Sequence, residues 1–140
     1  MHEFLPKKSI LPNISNKDIF LLLIASFIFL FLDFGFLFLN KSHFERQIIQ
    51  VQRVSLKMNP VGILFCYLFL FTGLYYFILR EKRTPLEAFL LGLVIYGVYE
   101  TTTYSVLKNW KFTTVVIDTL WGGILFYLTT FISYKIYDYL

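Results

Sequence analysis

The chain has 140 residues, of which 57% are hydrophobic, 21% aromatic and only 16% charged. Globular domains carry about a quarter charged residues, so the polar surface here is too small to cover a water-facing globule. A mean hydropathy of +0.64 places the chain in a bilayer, and its formal charge is +4. This composition excludes a disordered tail, a disulfide-stapled secreted module and an ordinary cytosolic enzyme.

Residues 1–18 are polar, contain Pro6 and Pro12, and read as a cytosolic or interfacial tail ahead of one membrane domain, 19–140. A helix needs about 20 apolar residues to cross the hydrocarbon, and four runs reach that length. The first, 19–39, is broken only by Asp33, and the second, 61–79, carries no charge. The third, 86–107, holds Glu87 near its start and Glu100 near its end; the fourth, 113–134, holds only Asp118. Backbone polar groups find no water in lipid, so helices are expected rather than barrel strands, which alternate in polarity. The first run is too long for a signal-peptide core and no small-residue cleavage site follows it, so it is expected to persist. Thr84-Pro85-Leu86-Glu87 has the capping threonine, first-turn proline and glutamate of a capping box, and Asn59-Pro60 opens the second run similarly.

Between the first two runs, Phe44, Ile48, Val51, Val54 and Met58 recur at steps of three or four. Arg46, Gln47, Gln50, Arg53 and Lys57 fall largely on other faces, which predicts an amphipathic helix over 43–58 in the headgroup layer. The fold class is therefore all-α: a four-transmembrane-helix bundle with an interfacial amphipathic helix between spans one and two.

An even number of spans puts both termini on one side, called A, with the opposite side B. Side A holds Lys7, Lys8, Lys17, Arg80, Lys82, Arg83 and Lys135; side B holds Lys41, Arg46, Arg53, Lys57, Lys108 and Lys111. The two sides nearly balance, and the compact Arg80-Glu81-Lys82-Arg83 loop favours cytoplasmic termini.

The acids inside the runs are the informative residues, because a carboxylate at the centre of a membrane helix costs about 2.5–3.5 kcal/mol on insertion scales. At about 1.5 Å per residue, Asp33, Glu100 and Asp118 all fall roughly 8–10 Å below side B. Glu100 shares a helical face with Tyr96, Gly97, Thr103 and Tyr104, and Asp118 with Thr114, Trp121 and Gly122. The expectation is a polar pocket opening toward side B, partly covered by the amphipathic segment. Its candidates are Asp33, Glu100, Asp118, Tyr96, Thr103, Tyr104 and Trp121, with His43, Arg46, Arg53, Lys108, Trp110 and Lys111 as a headgroup-facing rim. The same acids also fit structural pins, neutralised by protonation or by Arg46 or Lys111, that fix helix register.

Basic residues gathered at the ends of apolar runs face lipid headgroups rather than nucleic acid. Cys66, in an apolar run, is expected as a buried, inert thiol. His2 and His43 are too isolated for a metal cluster. No phosphate loop, nucleophile elbow or Cys-x-x-Cys site is present, so no cofactor and no metal are expected.

Leu32-Asp33, Phe36-Leu37, Phe44, Arg46, Gly92, Tyr96, Tyr99-Glu100-Thr101-Thr102, Trp110 and Asp118-Thr119-Leu120-Trp121-Gly122 follow one another in order. In this the chain resembles the DUF2177 family of small membrane proteins over roughly residues 28–125. The resemblance implies a four-helix membrane protein and makes all three acids part of the family pattern, with no activity attached. Glu100, Thr103 and Phe36 depart from it, standing where the family usually has aspartate, asparagine and tryptophan. The longer Glu100 side chain speaks against strict catalysis.

Three readings follow: a non-catalytic membrane or assembly component with an intramembrane acidic pocket, a proton-coupled carrier of a small or amphiphilic solute, and a lipid-modifying enzyme. The first ranks highest, leaning away from an enzyme. The expected partners are the bilayer, anionic lipid headgroups, and further copies or a larger membrane assembly.

Overall fold

The computed structural model describes residues 15–54 and 56–139, and the expectations for residues 1–14 lie outside them. Five helices follow one another: α1 Asn16–Leu39, α2 Lys41–Gln52, α3 Pro60–Leu74, α4 Pro85–Val106 and α5 Phe112–Asp138. A single π-helical turn, Tyr75–Leu79, continues α3, closed by the bond from Arg80 N to Tyr75 O at 2.8 Å. Among the described residues, three helices are long and apolar enough to cross a membrane: Asn16–Leu39, Pro60–Leu79 and Phe112–Asp138. The remaining long helix, α4, has 22 residues but carries Glu87, Glu100 and the threonines 101–103.

Local chemistry sets the ends. Thr84 accepts from Glu87 N at 3.2 Å while the Glu87 carboxylate accepts from Thr84 N at 3.0 Å, closing the expected capping box of α4. Asn59 Oδ1 caps α3 by accepting from Val61 N and Gly62 N. A second capping box, between Ser15 and Asp18, starts α1 three residues before the expected position. Likewise α2 stops at Gln52 rather than running to 58, because Arg53 turns left-handed (φ 64°) and ends the hydrogen-bond ladder. Val54 and Met58, assigned to its apolar stripe, are exposed beyond that end.

The core is built by helix stripes. In α1 the buried positions are Leu21, Ala25, Phe29 and Asp33, spaced four apart on one face, so Asp33 is the last member of the inward stripe. Phe29 meets Tyr67, Phe71 and Phe126 edge-on with centroids 5.4–6.2 Å apart, joining α1, α3 and α5. The most buried helix is α5, packed along α4 and against α1. Lipid tails are as apolar as leucine, so membrane helices associate mainly by close packing. Here that packing uses glycine: a Cβ on Gly92 would strike the backbone of Gly122, and a Cβ on Gly122 would strike the Tyr96 ring. Gly97, on the same helix as Gly92, is looser: a Cβ there would stand 3.5 Å from Thr119 Cγ2.

Tyr134 donates to Arg83 O at 2.7 Å, so the end of α5 lies beside the α3–α4 turn. Gln47 and Thr114 are bonded at 2.7 Å, so its start lies beside α2. Cys66 is exposed on α3, contrary to the buried thiol expected. It falls off the stripe Tyr67, Leu70, Leu74 through which α3 meets the other helices.

Candidate functional site

The three acids form two separate nodes. In the first, Asp33 accepts from Tyr67 OH at 2.6 Å and from Trp121 Nε1 at 3.0 Å, binding α1 to α3 and α5 at one carboxylate. The Trp121 ring also stacks on Phe36, with centroids 4.4 Å apart and planes within 8°. In the second, Trp110 Nε1 donates to Glu100 Oε2 at 2.8 Å. The Asp118 carboxyl lies beside that of Glu100 and interacts with it. Glu100 is 1% exposed, and Asp118 is half-buried beside it.

Asp33 and Glu100 thus take their hydrogen bonds from neutral N–H and O–H groups; among the described residues no ion pair joins them to Arg46 or Lys111. The hydroxyls expected around Glu100 are otherwise engaged. Thr103 Oγ1 donates to Tyr99 O at 2.7 Å, Tyr104 lies outward beside Phe112, and Tyr96 packs its ring on Gly122 and Phe126. Among the described residues no group of three or more His, Cys, Asp or Glu side chains converges as a metal site.

Polar residues of α2, the α4–α5 connection and the start of α5 come together around Gln47, which is 2% exposed. Its Oε1 accepts from Lys111 N at 3.0 Å and from Thr114 Oγ1 at 2.7 Å, and its Nε2 donates to Asn109 O at 2.7 Å. Because the Thr114 proton goes to Gln47, His43 Nε2, 2.9 Å from Thr114 Oγ1, acts as the donor of that contact. Asn109 Nδ2 returns a bond to Gln50 O at 3.3 Å. This network clamps α2 onto the α4–α5 connection and the first turn of α5.

Two cavities flank the clamp. One, of about 540 Å³, is walled by Gln50, Arg53, Asn109, Trp110 and Lys111. The other, of about 240 Å³, is walled by His43, Arg46, Gln47, Gln50 and Lys111. None of the three acids lines either one; both are walled by basic and amide side chains. Of the expected rim, His43, Arg46, Arg53, Trp110 and Lys111 line them; Lys108 is exposed and does not.

The family model described as "Predicted membrane protein (DUF2177)" matches residues 19–135. The chain belongs to the DUF2177 family. Neither a curated protein nor a solved structure matches it. The matched segment contains both acidic nodes, the Gln47 clamp and the residues lining the two basic cavities.

Sequence reasoning missed Tyr67 and Gln47. Counting from Pro60 puts Tyr67 roughly 10 Å into its helix, close to the depth expected for Asp33, so depth matching could have paired them. His43, Gln47 and Gln50 are spaced at four and three, a polar stripe that reads as a second buried face once α2 has something to dock on.

Proposed function

We propose that this protein is a four-span integral membrane component without catalytic activity, whose intramembrane acids hold the helices in register. The observation that carries the reading is that both acidic nodes join elements: Asp33 is bonded to Tyr67 and Trp121, and Glu100 is bonded to Trp110 and lies beside Asp118. Each of these carboxyls is thus already engaged between elements, and none of the three lines either basic cavity.

Several features support α4 as the fourth span. Its 22 residues extend about 33 Å. Leu86, Leu90, Val94 and Val98 form an outward apolar row spaced four apart, each more than half exposed. Glu100 is turned inward, and Thr101, Thr103 and Ser105 return their hydroxyl protons to carbonyls in their own helix. These three hydroxyls, which lower its hydropathy, are therefore satisfied within the helix.

Unfolding of the native protein, Glu100→Gln and Glu100→Ala in mild detergent, beside proton flux in liposomes, tests this reading. Glutamine keeps the shape of glutamate, an oxygen to accept from Trp110 and a polar group beside Asp118, so Glu100→Gln should stay within about 0.5 kcal/mol of native. Glu100→Ala strands both partners and should lose about 2–3 kcal/mol. Native liposomes should show no proton flux above empty ones. A proton-coupled flux abolished by Glu100→Gln would replace this reading with the carrier.

A further inference from the structure

We infer that the α2–α5 junction binds the phosphate of an anionic lipid headgroup. The two basic cavities share Gln50 and Lys111 in their walls, so they form adjoining compartments of one polar recess. Arg46 stands in one compartment, Arg53 in the other, and Lys111 in both. No carboxylate lines either compartment, and among the described residues the ion pairs are Arg80–Glu81 and Arg83–Glu87, at the α3–α4 turn. Three cations around one recess without a counter-ion present an anion site, and the amides of Gln50 and Asn109 add neutral donors.

The recess is also rigid. The Gln47 clamp fixes α2 against Asn109, Lys111 and Thr114, so the cations on α2 and α5 are held at a set separation before any anion arrives. Arg53 (φ 64°) and Asn109 (φ 65°), two non-glycine residues in the left-handed region, line the larger compartment. Lys111 is the N-cap of α5 and no side chain caps that helix among the described residues, so its terminal N–H groups add positive potential beside the same wall.

A lipid, rather than a free anion, is favoured by what adjoins the recess. An apolar groove of about 600 Å³ runs along the last turns of α1, from Phe31 to Leu39, with Trp121 of α5 in its wall. Phe36 of that groove meets Phe44 at 5.9 Å, and Phe44 meets His43 of the recess at 5.5 Å, so the apolar and basic surfaces are contiguous through ring contacts. A cationic recess opening beside an apolar groove at the end of a membrane helix is complementary to an amphiphile with an anionic head. This inference is independent of whether the acids are structural, since it uses none of them.

The test is thermal stabilisation of delipidated full-length protein by short-chain phosphatidylglycerol, against short-chain phosphatidylcholine, inorganic phosphate and glycerol phosphate. Phosphatidylglycerol should bind the native protein in preference to the other three. Arg53→Gln, Arg46→Gln and Lys111→Gln should each weaken that binding about fivefold, whereas Lys108→Gln, outside the recess, should leave it unchanged. Circular dichroism and the unliganded melting temperature identify any variant that fails to fold, and the remaining two then carry the comparison. Equal weakening by Lys108→Gln would mean diffuse surface attraction and overturn the site. Equal binding of phosphate or glycerol phosphate would overturn the lipid assignment, and equal binding of phosphatidylcholine would overturn the role of charge.

Discussion

Trp121 donates its indole N–H to Asp33 across 3.0 Å, so α5 grips the last inward-facing residue of α1. Its ring simultaneously stacks on Phe36, one turn closer to the end of α1. One side chain therefore fixes both the depth and the rotation of α1 relative to α5. Tyr67 closes the node from α3 through the other carboxylate oxygen.

That geometry makes Asp33→Asn a harsh substitution despite its near-identical shape. Asparagine offers one acceptor oxygen where two donors converge, and its NH₂ group would face a donor. The loss should be about 1–3 kcal/mol, measured by unfolding in detergent. Tyr67→Phe alone should cost about 1 kcal/mol and much less once Asp33 is already asparagine. A double-mutant cycle showing no coupling between positions 33 and 67 would contradict the bond.

Glycine substitutions separate close packing from open space on the same helix. Gly92→Ala drives a methyl group into the Gly122 backbone, which cannot yield without parting α4 from α5. It should destabilise by about 1–3 kcal/mol or more, as overpacking does. Gly97→Ala meets only Thr119 Cγ2 at 3.5 Å and removes a flexible residue from a helix. It should be neutral or slightly stabilising. Equal melting temperatures for the two variants would refute the tight α4–α5 crossing.

The contrast between those glycines also shows how far the sequence could be read. The apolar runs, the Thr84–Glu87 box and the Asn59 cap are local signals, set within a few residues, and the helices begin or end near them. Gly92 and Gly97 look alike in sequence because what distinguishes them is the residue of α5 opposite each one. The same holds for the acids. Their common depth follows from counting, but their division into a Tyr67–Trp121 node and a Trp110–Asp118 node depends on helix rotation, which periodicity in a uniformly apolar helix does not define. The Gln47 clamp was hidden because α2 displays both an apolar stripe and a polar stripe, and docking buries part of each.

The clamp itself yields a prediction about motion. Gln47→Ala removes the acceptor for Lys111 N and Thr114 Oγ1 and the donor to Asn109 O, the bonds that tie α2 to the α4–α5 connection. Amide hydrogen exchange over residues 41–52 should accelerate at least about tenfold, while exchange in the middle of α5 stays native, since local opening does not require global unfolding. Gln47→Glu should also loosen α2, because it sets a carboxylate oxygen against Asn109 O. Unchanged protection of α2 in both variants would show that its apolar contacts suffice to hold it.

The crossing of α4 can be decided by chemical labelling. Exposed Cys66 is first replaced by serine, and single cysteines are placed at Arg83 and Lys108, both exposed positions flanking α4. If α4 spans the bilayer, a membrane-impermeant maleimide added outside sealed vesicles should label one position and reach the other only after permeabilisation. The row Leu86, Leu90, Val94 and Val98 then faces lipid, and Glu100 is an intramembrane group sealed against α5. Labelling of both positions from the same side would remove α4 from the membrane and leave three spans. In that case the exposed apolar row would need another cover, and the cost of burying Glu100 would no longer be set by a membrane.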